Sequence, residues 1–128
     1  MSTAPEIPPQ LQEQLTRLQQ LQQTLQIVIT QKQQLDLELA DTERALSELD
    51  KLSDNSAIYK SIGALLAKTD RQTVLKELQE RKELLNTRIT VLARQEERAR
   101  SKVKELQQKI QDRLKSPGSE EPSVKSEQ

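Results

Sequence analysis

Two runs of apolar residues at alternating spacings of three and four constrain this chain more than anything else in it. The first is Leu18, Leu21, Leu25, Val28, Lys32, Leu35, Leu39, Thr42, Leu46 and Leu49. The second is Leu75, Leu78, Lys82, Leu85, Ile89, Leu92, Glu96, Ala99, Val103, Leu106 and Ile110. A stripe of this period is what one helix presents to another in a coiled coil. If the chain doubles back between the runs, facing positions must have residue numbers with a constant sum. Every facing pair, from Leu49 with Leu75 to Leu18 with Leu106, adds to 124. Strict heptads that match in one layer match in all, so the content of the agreement is that one reversal pairs both seams without a slip. The polar interruptions also fall together. Thr42 faces Lys82, and Lys32 lies one layer from Glu96, where the two either form a register-fixing ion pair or snorkel out of the seam. Before Leu18 the spacing of Leu11 and Leu15 breaks phase, which predicts a local overwinding or a looser contact there.

The expected fold is therefore mainly α: a long antiparallel coiled-coil helical hairpin with a short β-hairpin at the bend. Pro5, Pro8 and Pro9 place the first helix start at or just after Pro9. This gives a flexible N-terminus over 1–9 and a coiled-coil domain over 10–116. Pro117 and Gly118 end the second helix, and the polar, acidic stretch 117–128 is expected to be disordered. Ser53 to Ser56 supplies turn chemistry. The stretch 57–69 then reads as two strands about Gly63, with Gly63 and Ala64 in a type II′ turn. Ile58 would face Thr69, Lys60 would face Ala67, and Ile62 would face Leu65. Thr69 or Asp70 offers the N-cap of the second helix, and Thr69 with Gln72 has capping-box spacing. A lone hairpin with both edges open is marginal in water and invites pairing with another chain. Ile58, Tyr59, Ile62, Gly63, Leu65 and Leu66 are accordingly the expected oligomerisation residues.

Only 33% of residues are hydrophobic and 1% aromatic, against 31% charged, so an elongated helical domain fits better than a thick globular core. Charge is divided: Leu11–Lys51 carries four basic and seven acidic residues, Arg71–Lys115 thirteen basic and seven acidic. Opposite signs favour two halves lying against each other. The absence of Cys and His removes disulfides, thiol nucleophiles, histidine bases and the usual zinc ligand sets. Two glycines cannot build a phosphate-cradling loop, and Glu96-Glu97 and Glu120-Glu121 suggest neither a pocket nor a metal site. No enzyme, cofactor or metal is expected. The basic run Arg94, Arg98, Arg100, Lys102, Lys104 is interrupted by glutamates and has no stacking aromatics, so it reads as a solvated face rather than a nucleic-acid site. No membrane-length apolar run occurs, and a cytoplasmic protein is the expectation.

The chain resembles the prefoldin family, in particular its beta-type subunits. The likeness is carried by Gln31-Lys32-Gln33 through Thr42-Glu43-Arg44-Ala45-Leu46-Ser47-Glu48-Leu49, by Tyr59-Lys60-Ser61-Ile62-Gly63-Ala64-Leu65-Leu66, and by Arg94-Gln95-Glu96-Glu97-Arg98 with Lys104-Glu105-Leu106-Gln107. The connector has room for one hairpin, as in beta-type members, rather than the two of alpha-type relatives. The resemblance implies a hexamer of two alpha-type and four beta-type subunits joined through their hairpins. It also implies an ATP-independent chaperone that holds unfolded proteins at the coiled-coil tips and passes them to a group II chaperonin. Candidate client-binding residues are Leu11, Leu15, Leu18 and Leu21 from the first helix and Leu106, Ile110 and Leu114 from the second. Leu11, Leu15, Ile110 and Leu114 are expected to be the less completely buried ones. The competing reading is a passive coiled-coil scaffold or tether without client binding, in which these residues only finish the seam.

Overall fold

Pro9 occupies the first helical position, where a missing N–H costs nothing, and the first helical hydrogen bond runs from the Gln12 amide to the Pro8 carbonyl at 3.0 Å. The computed structural model describes residues 7–115. Expectations about residues 1–6 and about the stretch beyond Lys115 lie outside the described residues. Four elements follow in order: α1 (Pro9–Asp50), β1 (Ile58–Ile62), β2 (Leu65–Thr69) and α2 (Arg71–Lys115). The mainly α fold class, with two long helices and a β-hairpin between them, is as the sequence led us to expect.

The chain divides into two compact units. One comprises Met1–Ile29 with Arg94–Gln128, the other Thr30–Ala93, so each helix contributes a length to both. In the Thr30–Ala93 unit, Lys32, Leu35, Leu39, Thr42, Leu46 and Leu49 on α1 are buried or half-buried, as are Leu75, Leu78, Lys82, Leu85, Ile89 and Leu92 on α2. The polar members of this seam are accommodated in different ways. Thr42 is buried, and its hydroxyl donates to the Glu38 carbonyl one turn back at 2.8 Å, so no unpaired polar group is left inside. Lys82 keeps its stem in the seam and carries its ammonium outward to Glu43, 3.6 Å away. On the flank, Arg81 donates to Glu38 at 2.9 Å.

In the other unit, the inward positions are Leu11, Gln14, Leu18, Leu21, Leu25 and Val28 on α1, with Glu96, Ala99, Val103, Leu106, Ile110 and Arg113 on α2. These stay in strict heptad phase, so the expected slip does not occur. Gln14, not Leu15, fills the seam position between Leu11 and Leu18, and Leu15 falls on the flank. The physical reason is that helix geometry fixes which side chain faces inward. Once the seam is anchored at Leu18 and Leu21, a phase jump for one leucine would sacrifice packing on either side.

The hairpin register pairs Ile58 with Thr69, Tyr59 with Lys68, Lys60 with Ala67, Ser61 with Leu66 and Ile62 with Leu65, as expected. Gly63 has φ +58 and no other described residue has positive φ, which is the type II′ arrangement in which only the first central residue is left-handed.

Candidate functional site

In the Thr30–Ala93 unit the hairpin is held at its base and bare at its tip. Ile58, Ala67 and Thr69 are half-buried, and the Lys60 ammonium donates to both carboxylate oxygens of Glu77 at 3.2 and 3.3 Å, tying that face to α2. Tyr59 is 58% exposed, Leu66 72%, and Ile62 and Leu65 are also more than half exposed. The sheet has two strands only, so each strand has one unpaired edge. Gly63 supplies the turn rather than a surface: a Cβ there would meet nothing within 4 Å. The expected oligomerisation residues thus lie together on one small sheet. Ile58 is the exception, being turned partly inward.

The connector closing onto this hairpin depends on Arg71, a residue that sequence reasoning does not single out. Its side chain is 17% exposed. Its Nε donates to the Leu49 carbonyl at 3.1 Å, one guanidinium nitrogen donates to Asp54 at 3.2 Å, and another lies 3.7 Å from Asp50. One cation therefore caps the C-terminal end of α1 and ties the 51–57 connector to the start of α2. Gln72 adds a hydrogen bond to Asp54 at 3.2 Å. The N-cap of α2 is Asp70: the Thr73 amide donates to one carboxylate oxygen at 2.8 Å, and the Thr73 hydroxyl donates to the other at 2.9 Å. These bonds, the amide first, hold the Asp70 carboxyl below the usual carboxylate range. The Thr69–Gln72 capping box does not form. Thr69 is committed to the strand ladder opposite Ile58, and Gln72 is spent on Asp54.

In the other unit the candidate client-binding residues separate into two groups. Leu11, Leu106 and Ile110 form a buried cluster, with Leu18 and Leu21 packed against it and partly exposed. Leu11 is 7% exposed and Ile110 6%, which corrects the expectation that these two are incompletely covered. The reason is the preserved phase: Gln14 and Arg113 complete the seam beyond Leu106, and the Arg113 Nε donates to the Gln14 side-chain oxygen at 3.3 Å. Leu15 is 40% exposed and Leu114 60%, as expected of them. Ile27, also more than half exposed, is not among the expected residues. The signal that finds it is the one that explains Leu15 and Leu114: an aliphatic residue one step off the heptad phase. Among the described residues no helix is long and apolar enough to cross a membrane, and no three acidic side chains converge as metal ligands.

Comparison with known proteins agrees with this geometry. The family model described as "Prefoldin subunit" matches residues 12–117. The prefoldin subunit beta of Archaeoglobus fulgidus is 50% identical over 109 residues, covering 85% of this chain and 94% of the relative. That of Pyrococcus furiosus is 46% identical over 111 residues, covering 87% and 95%. The crystal structure of the prefoldin beta subunit from Thermococcus strain KS-1 superposes with a TM-score of 0.78 at 42% identity, covering 85% of this chain and 96% of that one. The chain belongs to the prefoldin subunit family, and within it is similar to the beta subunits.

Proposed function

We propose that this chain acts in the cytoplasm as the beta-type subunit of a hetero-oligomeric, ATP-independent chaperone. It joins alpha-type subunits and further beta-type copies through the hairpin, in a hexamer of two alpha-type and four beta-type subunits. The complex holds unfolded proteins at the paired helix ends and hands them to a group II chaperonin. The assembly half of this reading is supported by the open strand edges and by Tyr59, Ile62, Leu65 and Leu66 standing exposed on one small sheet.

The observation that carries the holding half is the exposure of Leu15 and Leu114 beside a seam that closes without them. A fully buried aliphatic side chain is worth about 1.5–3 kcal/mol, so each exposed leucine retains roughly half of that for a client. Such grips are weak singly and add through several subunits on one client. They read no sequence, as a holder of many unfolded chains requires. The test replaces Leu15 and Leu114 by Ser in the complex with its alpha-type partner. Native mass should show unchanged assembly, while suppression of aggregation of an unfolded protein should fall several-fold. Equal suppression by the variant would overturn the assignment of these leucines. Assembly with no suppression by the parent complex would favour the passive tether.

A further inference from the structure

On α2, Arg94, Arg98, Lys102 and Lys109 recur at spacings of four and seven and so share one stripe of the helix surface. All are exposed, and among the described residues none of them makes an ion pair. Off the stripe, Arg100 and Arg113 are engaged: Arg100 donates to Glu96 at 2.8 Å, and Arg113 to Gln14. Glu105 and Asp112 are the carboxylates on this side of the helix, so the stripe keeps an excess of two positive charges. Over residues 7–29 and 94–115 together there are nine basic and five acidic side chains, an excess of four positive charges. Residues 116–128 carry Glu120, Glu121 and Glu127 against Lys125, an excess of two negative charges, and they follow in sequence on Lys115, the last residue of α2.

We infer that the acidic stretch following Lys115 docks back along the Arg94, Arg98, Lys102, Lys109 stripe of its own α2. The reach suffices. An extended chain advances about 3.3–3.6 Å per residue, so Glu120 and Glu121 come within about 17–21 Å of Lys115. At 1.5 Å per residue, Lys109 lies about 9 Å and Lys102 about 20 Å back along the helix, within that reach, and Arg98 and Arg94, about 26 and 32 Å back, fall within the roughly 40 Å that the twelve residues to Glu127 can span. Pro117 and Gly118, at the reversal, do not favour continuation of the helix. Pairs exposed to water are individually weak and screened, so the contact forms and opens readily and responds to salt. While formed, it occupies a stripe that an acidic partner would otherwise find, on the stretch of helix that ends in the exposed Leu114.

A water-soluble carbodiimide, which joins a carboxylate to an amine that touches it, tests this on the full chain in its assembled state. Adducts of Glu120 or Glu121 with Lys102 and Lys109 are expected at low ionic strength. They should fall about threefold or more at about 0.5 M salt. The paired substitution Arg94→Glu with Arg98→Glu leaves both amines in place and should lower these adducts similarly. Adducts at Lys115, which chain proximity alone ensures, should not respond to the substitution and serve as the internal reference. The inference is overturned if Lys102 and Lys109 react no more than the exposed Lys76, if the charge reversal changes nothing, or if a mixture of isotopically labelled and unlabelled chains places the adducts between copies.

Discussion

Replacing Arg71 by Met keeps the side-chain stem that lies in the connector and deletes the guanidinium. The three interactions it removes differ in strength. Asp50 and Asp54 have side chains 82% and 69% exposed, so their pairing with Arg71 falls in the range of about 0–1 kcal/mol each. The bond to the Leu49 carbonyl is charge-assisted and part-buried, of a kind worth about 1.5–3 kcal/mol. That carbonyl also accepts from the Leu52 amide at 3.1 Å, so it is not orphaned by the substitution and the lower end applies. The expected cost is about 2 kcal/mol. For a chain of this size it corresponds to a fall of roughly 4–8 °C in Tm, read by circular dichroism at matched protomer concentration. Hydrogen exchange gives the local readout: amides of β1 and β2 should lose protection before those of the helices do. Asp50→Asn and Asp54→Asn should each cost less than about half as much as Arg71→Met. A cost below about 0.5 kcal/mol for Arg71→Met, or an Asp54→Asn variant as damaged as Arg71→Met, would refute the claim that the carbonyl bond dominates.

Gly63→Ala should destabilise the hairpin by about 1–2 kcal/mol through backbone strain alone, since φ is +58 and nothing obstructs a Cβ; loss of complex in native mass spectrometry checks it. Because the Asp70 carboxyl is held below its usual range when folded, its contribution is complete above the ordinary carboxylate value and is lost as pH falls through the lowered one. Protection of the Thr73 amide, its exchange taken relative to the intrinsic rate at each pH, should therefore fall on acidification below about pH 4, and Asp70→Asn should flatten that dependence. Gln14→Leu should stabilise the chain by about 1 kcal/mol, whereas Leu15→Ser should change its stability by less than about 0.5 kcal/mol in urea unfolding. The reverse order would mean that Leu15 holds the seam.

Periodicity makes the helices, their facing positions and the fold-back legible, because helix geometry converts spacing into direction without reference to anything distant. The hairpin register follows from one glycine for a similar reason: a two-residue turn fixes every pair in the ladder once its first residue is left-handed. Phase at the chain's start is harder to read, because a leucine looks like a better seam residue than a glutamine. Local apolarity does not decide direction, and Gln14 is tolerable at a seam end where Arg113 can reach it. The role of Arg71 is not legible at all. Its partners are a backbone carbonyl, which carries no sequence signal, and two aspartates brought near by the connector's path. Thr69 illustrates a competition: the same residue fits a cap and a strand end, and the ladder opposite Ile58 claims it.

The closure of the seam by Gln14 and Arg113 bears on how the proposed holding could work. Offering Leu11, Leu106 and Ile110 to a client would require the helix ends to part, forfeiting about 1.5–3 kcal/mol for each side chain uncovered. Three such losses would exceed what one short client segment returns, and the exposed residues would then compete with their own re-pairing. Leu15 and Leu114 carry no such cost, because the folded helices already present them to water. Under the proposed function, a surface built from residues one step off the heptad phase would grip and release a client without unzipping the structure that bears it. On this argument, locking the ends together with a disulfide across seam positions would leave holding intact. Loss of holding in the locked, assembled complex would instead place the grip in the buried cluster.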